Sequence, residues 1–230
     1  MHGILLVDKP KDWTSFDVVN FVRKIVATTL GTKPKNTKVG HCGTLDPLAT
    51  GLLILVIGKE YTRRASEFSK LDKTYEVTMK LGQTSITGDD EGEKVTVSDV
   101  VPSLAAVEQA LKRFSGEIMQ VPPQFSAMKV NGQRAYKLAR EGKQVKLEAR
   151  PVTIYQNELT SYEYPIVVFT SHVSTGTYIR SLVEDIGAEL GTGAYMSDLR
   201  RSSINSWNVV DAVSLRDLSA EKIQKELINL

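Results

Sequence analysis

Hydrophobic and polar positions along the chain first indicate where strands lie. Residues 3–7 and 52–57 are short, continuous apolar runs of the kind found in strands buried on both faces. Residues 75–81 alternate apolar and polar side chains, as a strand with one buried face does. Residues 152–162 and 166–173 are two further β-rich runs, and their closeness in the chain predicts an antiparallel pair.

Other stretches repeat with the helical period. Apolar side chains follow one face of a helix over residues 16–26, 103–114 and 179–190, and shorter helices are predicted over residues 61–71 and 135–141. Because several of the strands are joined by hairpins, the order of elements favours an α+β fold. A largely antiparallel sheet is expected, rather than a doubly wound parallel one.

Composition places the chain among globular proteins of one domain or two closely joined halves, with 230 residues, 41% of them hydrophobic. A single cysteine excludes a disulfide framework, and three histidines far apart in the chain predict no metal site. The apolar run at the N-terminus is too short for a signal peptide, and no segment is long and apolar enough to span a membrane. A cytoplasmic protein is expected.

Net charge is only +2, but basic residues are concentrated in two segments. Three lysines lie within residues 33–38, and seven basic residues against two acidic ones lie within residues 129–150. Such local surpluses can neutralise phosphates on one face, or they can be ordinary solvated surface with acidic groups folded against it. Prolines border the second segment, which is predicted to form a projecting arm over approximately residues 124–150.

The stretch from residue 40 to 51 carries an imidazole, a thiol and a carboxylate on His41, Cys42 and Asp46, directly before a buried strand. Pro47 disfavours helical backbone at Asp46, so this carboxylate is expected on a turn. An Asp-Pro pair is also a common helix start, with the carboxylate as N-cap, and lone histidines and cysteines are usually packed or solvated. Cys42 is interpreted as a packing residue. Spacing alone nominates this loop without naming a reaction.

A second candidate is Arg180, which is predicted, with Tyr178, to lie in the first turn of a helix. A cation there opposes the helix dipole, which would be explained by a nearby carboxylate. An ordinary surface arginine is the alternative.

Taken together, motifs spread over nearly the whole chain closely resemble those of the tRNA pseudouridine-55 synthase B (TruB) family. The matching stretches are Leu6-Val7-Asp8-Lys9-Pro10 with Thr14-Ser15, residues 39–51, Lys73-Thr74-Tyr75, Pro122-Pro123-Gln124-Phe125-Ser126-Ala127, Arg150-Pro151-Val152, Gly176-Thr177-Tyr178-Ile179-Arg180 and Leu199-Arg200-Arg201. The resemblance implies a pseudouridine synthase catalytic fold, in which helices flank a mixed, largely antiparallel sheet with a central RNA-binding cleft. It also implies isomerisation of uridine 55 in the T loop of tRNA, without metal or organic cofactor, by a monomer.

The same resemblance assigns roles to individual residues. Asp46 falls on the family's nucleophile, which attacks either the base or the sugar carbon of a uridine flipped out of its stack. Tyr75 would stack on the flipped uracil, and Arg180 would pair with Asp46 and keep it ionised. The residues expected to contact the substrate are His41, which supports extrusion, Tyr178 and Leu199, which line the pocket, and Lys9, Lys129 and Arg134, which hold phosphates.

Departures from the family pattern are few. Asn205 and Trp207 stand where the family often has a glycine and a phenylalanine. The resemblance treats residues 1–230 as one catalytic domain with no C-terminal RNA-binding PUA domain, which predicts weaker or more salt-sensitive tRNA binding. Two rival functions are an RNA-binding module without turnover and a glycosidase, although glycosidases usually need paired carboxylates and only one is evident.

Overall fold

A computed structural model describes residues 1–126, 128–130, 132–143 and 145–229. These residues form two compact units. The first comprises Met1–Tyr75 and Arg200–Leu230, and the second comprises Glu76–Leu199.

Helices and strands alternate along much of the chain. The helices are α1 (Ser15–Thr29), α2 (Lys59–Arg63), α3 (Ala65–Ser69), α4 (Leu104–Arg113), α5 (Ala135–Arg140), α6 (Ile179–Glu189) and α7 (Ala220–Glu226). The strands are β1 (Gly3–Lys9), β2 (Val39–Cys42), β3 (Thr50–Ile57), β4 (Lys73–Leu81), β5 (Gln83–Ser85), β6 (Lys94–Thr96), β7 (Gly116–Gln120), β8 (Lys129–Val130), β9 (Gln133–Arg134), β10 (Arg150–Glu163), β11 (Ile166–Val173), β12 (Ala194–Ile204), β13 (Trp207–Asn208) and β14 (Val213–Ser214).

Strand β3 is the central strand of the first unit. It pairs antiparallel with β1 over the whole length of β1, and antiparallel with β2. Two pairings in this part of the sheet are parallel. Strand β14 pairs with β1, and residues 200 and 201 of β12 pair with residues 50 and 51 of β3. The sheet is therefore mixed but mainly antiparallel.

Both faces of β1 and β3 are buried, which explains why these strands are continuous apolar runs. Leu5, Val7 and the odd-numbered residues of β3 pack against α1, where Val18, Val19, Val22 and Val26 are buried. The even-numbered residues of the same strands face the opposite layer, where they pack with Tyr61, Phe68 and Ile204. The alternation of side chains along a strand divides one apolar run between two cores.

Helix α1 begins at Ser15, one residue before the apolar face predicted over residues 16–26. The Thr14 hydroxyl accepts a hydrogen bond from the Asp17 N–H (3.1 Å), and the Asp17 carboxylate accepts from the Thr14 N–H (2.9 Å). This reciprocal capping box satisfies two backbone donors that the first helical turn leaves without partners.

In the second unit, the hydrogen-bonded strands follow the order β4-β11-β10-β7. The pairs β10–β11 and β10–β7 are antiparallel. Helices α4 and α6 each bury one face, through Val107 and Leu111 in α4 and Leu182, Val183 and Ile186 in α6. Within the predicted arm, β8 and β9 form a hairpin that leads into α5. The Asn131-Gly132 pair is a sequence signal for a hairpin turn, but Asn131 lies outside the described residues.

The α+β class and the largely antiparallel sheet are confirmed, whereas some element boundaries differ from prediction. The single helix predicted over residues 61–71 is two short helices, because α2 ends at Arg63 and α3 restarts at Ala65. Tyr178 is the N-cap of α6 and not part of its first turn. No helix among the described residues has the length and apolar character that crossing a membrane requires.

At Gly51, the backbone of β3 lies so close to the backbone of β12 that a larger residue should destabilise the fold. Its φ is +101°, and a Cβ on it would lie 2.3 Å from the backbone oxygen of Arg201, its partner residue on β12. We expect Gly51→Ala to lower the free energy of unfolding by about 3–5 kcal/mol, from the positive φ together with the clash. Denaturant unfolding measures this.

Gly31 provides the control for the same substitution. Its φ is also positive, at +62°, but a Cβ there would meet no atom within 4 Å. Gly31→Ala should cost only about 1–2 kcal/mol, from the left-handed backbone alone. Equal losses in the two variants would contradict a role for the close approach of β3 and β12.

Candidate active site

The loop between β2 and β3 carries Asp46. Its backbone makes a single turn, in which the Ala49 N–H donates to the Asp46 carbonyl (3.1 Å), and β3 begins directly afterwards at Thr50. No helix starts at Asp46-Pro47, so the alternative of a helix-capping carboxylate is wrong. The Asp46 side chain is half-buried.

Lys9 anchors this loop through a hydrogen bond to its backbone. Its side chain is 0% exposed, and its ammonium donates to the carbonyls of Pro10 (2.9 Å), Trp13 (2.6 Å) and Pro47 (3.2 Å). Burial lowers the pKa of Lys9 to about 8, although the Asp46 carboxylate acts in the opposite direction. The predicted contact of Lys9 with a phosphate is therefore corrected, because a buried ammonium with three carbonyl partners anchors the loop.

Two further buried side chains fix the loop on either side of Asp46. The guanidinium of Arg201, also 0% exposed, donates to the carbonyls of Leu52 (2.7 Å) and Gly43 (3.0 Å). The Ser15 hydroxyl accepts from the Leu45 N–H (2.8 Å) and donates to the Leu45 carbonyl (2.9 Å). Irregular backbone at the edge of a core needs such partners, and here side chains supply them.

His41 and Cys42 lie at the end of β2 and differ in exposure. The Nδ1 atom of His41 is buried and has no hydrogen-bond partner among the described residues. Burial, followed by the charge of Arg201, lowers the His41 pKa. Cys42 is buried, and burial raises its pKa to about 12, which agrees with its interpretation as a packing residue. Across the described residues, no three His, Cys, Asp or Glu side chains are grouped as metal ligands.

Tyr75 is buried near the start of β4, on the same face of the strand as the buried residues Val77 and Met79. The nearby Lys73 ammonium donates to the carbonyls of Ser69 (3.1 Å) and Leu71, which ties the start of β4 to the end of α3. Burial lowers the pKa of Lys73 to about 8, with the charge of Arg201 acting in the same direction. Of the predicted site residues, the first unit thus contains Lys9, His41, Asp46 and Tyr75.

Arg180 lies in the second unit and is 7% exposed, so it is not an ordinary surface arginine. Its guanidinium donates from Nη1 to the Thr87 carbonyl and from Nη2 to the Phe125 carbonyl, both at 3.0 Å. The Asp89 carboxylate lies 3.7 Å from Nη1 in a buried ion pair. The sequence-based expectation that a carboxylate accompanies this helix-start arginine is met within the second unit by Asp89.

Sequence analysis did not single out Asp89. Its carboxylate accepts from the Thr87 hydroxyl and from the Glu91 N–H (3.2 Å). The carbonyl of Gly88, just before it, accepts from the Met196 N–H (3.0 Å). Nothing in the local pattern distinguishes Asp89 from its acidic neighbours, because its burial depends on partners elsewhere in the chain.

Gln120 was also missed, and it fixes the residue that precedes α6. Its side chain is 2% exposed, and its amide accepts from the Tyr178 N–H (2.8 Å) and donates to the Tyr178 carbonyl (3.1 Å). The Ser181 hydroxyl donates to the Val121 carbonyl (2.8 Å) in the same region. The helix start that carries Tyr178 and Arg180 is therefore held to the last residue of β7 and to Val121, which follows it.

The remaining predicted residues differ in exposure. Leu199 is buried on β12, whereas Arg134 is exposed at the end of β9 in the arm. The side chain of Lys129 lies outside the described part of the structure. The arm is tied at its base by Gln124, whose amide accepts from the Val145 N–H (3.1 Å) and donates to the Val145 carbonyl (2.7 Å).

Comparison with known proteins gives matches to two family descriptions. Residues 29–179 match "TruB family pseudouridylate synthase (N terminal domain)", and residues 180–228 match "tRNA pseudouridylate synthase B C-terminal domain". The tRNA pseudouridine synthase B of Clostridium novyi is 44% identical over 230 residues, which cover 100% of this chain and 76% of the relative. That of Chlorobaculum tepidum is 47% identical over 214 residues, 92% of this chain and 87% of the relative.

Among solved structures, a Cbf5-Nop10-Gar1 complex contains a chain with 31% sequence identity and a TM-score of 0.70. The match covers 97% of this chain and 56% of that one, so this chain spans little more than half the length of that structure.

The buried imidazole of His41 predicts a pH dependence of stability. Because folding lowers the pKa of His41, its imidazole binds a proton more readily in the unfolded state than in the folded state. Stability is fully present above the unfolded pKa, about 6.5, and is lost as pH falls below it. Between pH 7.0 and 5.5, the wild-type protein should lose more unfolding free energy than His41→Gln. The two losses of unfolding free energy can differ by at most about 1.4 kcal/mol for each pH unit by which folding lowers the His41 pKa. Identical pH dependence in the two proteins would contradict this assignment.

Proposed function

Because the chain belongs to the TruB family of pseudouridylate synthases, we propose that it converts uridine 55 in the T loop of tRNA to pseudouridine with Asp46 as nucleophile. The chain is an isomerase, since pseudouridine synthases rearrange a nucleoside without adding or removing atoms. The observation that carries the proposed substrate is 44% identity, over all 230 residues, to a tRNA pseudouridine synthase B.

The chemistry sets what the site must supply. The bond between N1 of uracil and C1′ of ribose breaks, the base rotates, and C5 bonds to C1′. C5 loses a proton and N1 gains one, so atoms and electrons balance within the substrate. The protein must therefore provide a nucleophile, hold the detached base and move one proton.

Asp46 suits the nucleophilic role because its loop is fixed before substrate arrives. Lys9, Ser15 and Arg201 hold the backbone on both sides of it. A carboxylate acting near neutral pH needs a cation to keep it ionised in a pocket closed to water. We assign that role to Arg180, with lysine unable to reproduce the forked contact of a guanidinium.

Arg180 is itself oriented by groups of the second unit. The carbonyls of Thr87 and Phe125 accept from its two terminal nitrogens, and Asp89 balances its charge. We assign Asp89 and Gln120 as positioning residues, because Asp89 acts on the Arg180 guanidinium and Gln120 fixes the backbone of Tyr178 just before it.

The pocket for the flipped base is assigned to Tyr75, Tyr178 and Leu199. A buried phenol ring at Tyr75 can stack on uracil and is a candidate base for the C5 proton. Leu199 and Tyr178 would exclude water while the base rotates. His41, whose buried Nδ1 has no hydrogen-bond partner in the described part of the chain, is assigned to the nucleotide beside the extruded uridine.

Affinity is assigned to the arm. Arg134 is exposed there, and neighbouring basic residues lie on α5. Contacts of this kind bind phosphates and position the RNA without reading its sequence. Lys129 is retained as a phosphate ligand on sequence grounds, whereas Lys9 is not.

Asp46→Asn tests the nucleophile directly. The variant should fold and bind tRNA, while pseudouridine formation falls by more than about 10⁴-fold, as in other enzymes that lose their nucleophile. Mapping pseudouridine along unmodified tRNA after incubation with each protein measures both the activity and the modified position. Asp99→Asn, a matched change at an exposed carboxylate, should leave the activity unchanged. Product from Asp46→Asn, or wild-type product at another uridine, would refute the assignment.

Gln120 and Gln124 make the same two-bond contact with the backbone and are expected to affect different steps. Gln120→Met frees Tyr178 and should lower kcat about tenfold, which corresponds to about 1.4 kcal/mol, with little change in KM. Gln124→Met frees Val145 in the arm and should raise KM several-fold with kcat retained, since the arm provides affinity. Steady-state kinetics on tRNA separates the two effects. If both variants changed only KM, the positioning role of Gln120 would be wrong.

A further inference from the structure

An ion pair spans three neighbouring strands of the first unit. The guanidinium of Arg200, on β12, donates from Nη1 to Asp8 Oδ1 (3.1 Å) and from Nη2 to Asp8 Oδ2 (2.8 Å), on β1. Strand β3 lies between these two strands and provides a third partner, because the Thr50 hydroxyl accepts from the same Nη1 (3.4 Å). The proposed catalytic roles use none of these three residues.

The geometry of the ion pair fixes orientation as well as distance. Two parallel N–H···O bonds hold the guanidinium and the carboxylate in one relative orientation, which a lysine could not reproduce. Neighbouring strands lie about 4.8 Å apart, so the pair connects backbones that are about 10 Å apart. Both side chains are about one-third exposed (34% and 33%), and an ion pair in such a position contributes little to stability. A role in orienting the strands is therefore favoured over a role in stability.

Strand β12 has only a short backbone attachment to β3. In the described chain, two residue pairs join these strands, Arg200 with Thr50 and Arg201 with Gly51. Strand β1, in contrast, pairs with β3 over all 7 of its residues. The ion pair thus connects the weakly attached strand β12 to the firmly attached strand β1.

Two of the three partners adjoin the loop that carries the proposed nucleophile. Asp8 directly precedes Lys9, the buried lysine that anchors this loop. Thr50 directly follows the turn over residues 46–49, where β3 begins. A displacement of either strand would therefore move one end of the loop.

The third partner adjoins a residue of the proposed pocket. Arg200 is preceded by Leu199 and followed by Arg201, whose guanidinium binds the loop carbonyl of Gly43. Successive side chains of a strand point to opposite faces, so Arg200 points away from the face of its two neighbours. It can therefore fix the backbone beside Leu199 without occupying the pocket.

We propose that Asp8 and Arg200 are positioning residues for the isomerisation, which hold β12 across β3 so that Leu199 closes the pocket over the detached base. The inference rests on the proposed function, because it requires Leu199 to contact the uracil. Loosening the pair should admit water and let the base leave its productive orientation, which lowers turnover. Binding of tRNA, which is assigned to the arm, should be retained.

Arg200→Met tests the proposal, because methionine keeps an unbranched side chain and removes every N–H donor of the guanidinium. We expect kcat on tRNA to fall about tenfold, with KM changed less than about twofold. Asp8→Asn, which keeps the shape of the side chain and removes its charge, should lower kcat several-fold. The double variant should be no slower than Arg200→Met, since both changes remove the same contact.

Arg64→Met is the matched control for the loss of an arginine from an ion pair. Arg64 pairs with Glu67 (3.1 Å) in the same unit, and its side chain is 36% exposed, close to the value for Arg200. This variant should keep the wild-type kcat and KM. Thermal unfolding of each variant shows that it is folded.

Hydrogen exchange of the free protein provides a second measurement that needs no activity. The Ala49 N–H, which donates to the Asp46 carbonyl, reports how often the loop turn opens. We expect this amide to exchange about tenfold faster in Arg200→Met than in the wild type. Arg64→Met should leave its exchange unchanged.

Product formation by the wild type separates this inference from the proposed function. With an active wild type the kinetics decide: an unchanged kcat in Arg200→Met, a change in KM alone, or effects that multiply in the double variant would overturn the positioning role and leave the proposed function in place. No pseudouridine from the wild type would refute the proposed function. Faster Ala49 exchange in Arg200→Met but not in Arg64→Met would then still support the ion pair as a positioning contact for the loop, and unchanged exchange would overturn it as well.

Discussion

The structure of the candidate site depends on hydrogen bonds from buried side chains to the backbone of one irregular loop. Lys9 and Arg201 have no exposed surface, yet each directs its cationic group at loop carbonyls, including those of Pro47 and Gly43. Burying a charge is unfavourable, as the lowered pKa of Lys9 indicates. The gain is a loop whose backbone is satisfied and fixed without a helix or a sheet, so that Asp46 is presented in a defined position.

In the second unit, side-chain hydrogen bonds also hold a segment of irregular backbone. The segment after β7 has two consecutive prolines and little regular structure, and side chains of the α6 start hold it. Arg180 satisfies two carbonyls before any substrate is present, and Gln120 completes the connection by binding both polar atoms of the Tyr178 backbone. A residue assigned to catalysis is thus also part of the local framework, which limits how far its guanidinium can move.

Much of the fold could be predicted because the relevant signals are local. The apolar runs of β1 and β3 and the apolar faces of α1 and α6 each depend on neighbours within a few residues. Predictions went wrong where local propensity was interrupted, as at Arg64, which separates two short helices in a stretch that reads as one. The residues of the site were nominated mainly through family resemblance, since spacing alone left Asp46 and Arg180 with ordinary structural alternatives.

The sequence by itself determined much of the order of elements and the apolar runs that become buried strands, and its motifs nominated Asp46 as the carboxylate of interest. Only the tertiary structure decided which polar side chains are buried and what they hold. It showed that Lys9 anchors a loop instead of contacting a phosphate, and it revealed that Asp89 and Gln120 are buried beside Arg180 and Tyr178. The physical reason is that a buried polar group requires a partner, and here Gln120 and Tyr178 are 58 positions apart in the chain. Periodicity reports the local environment of a residue, whereas such pairings exist only after distant segments have packed.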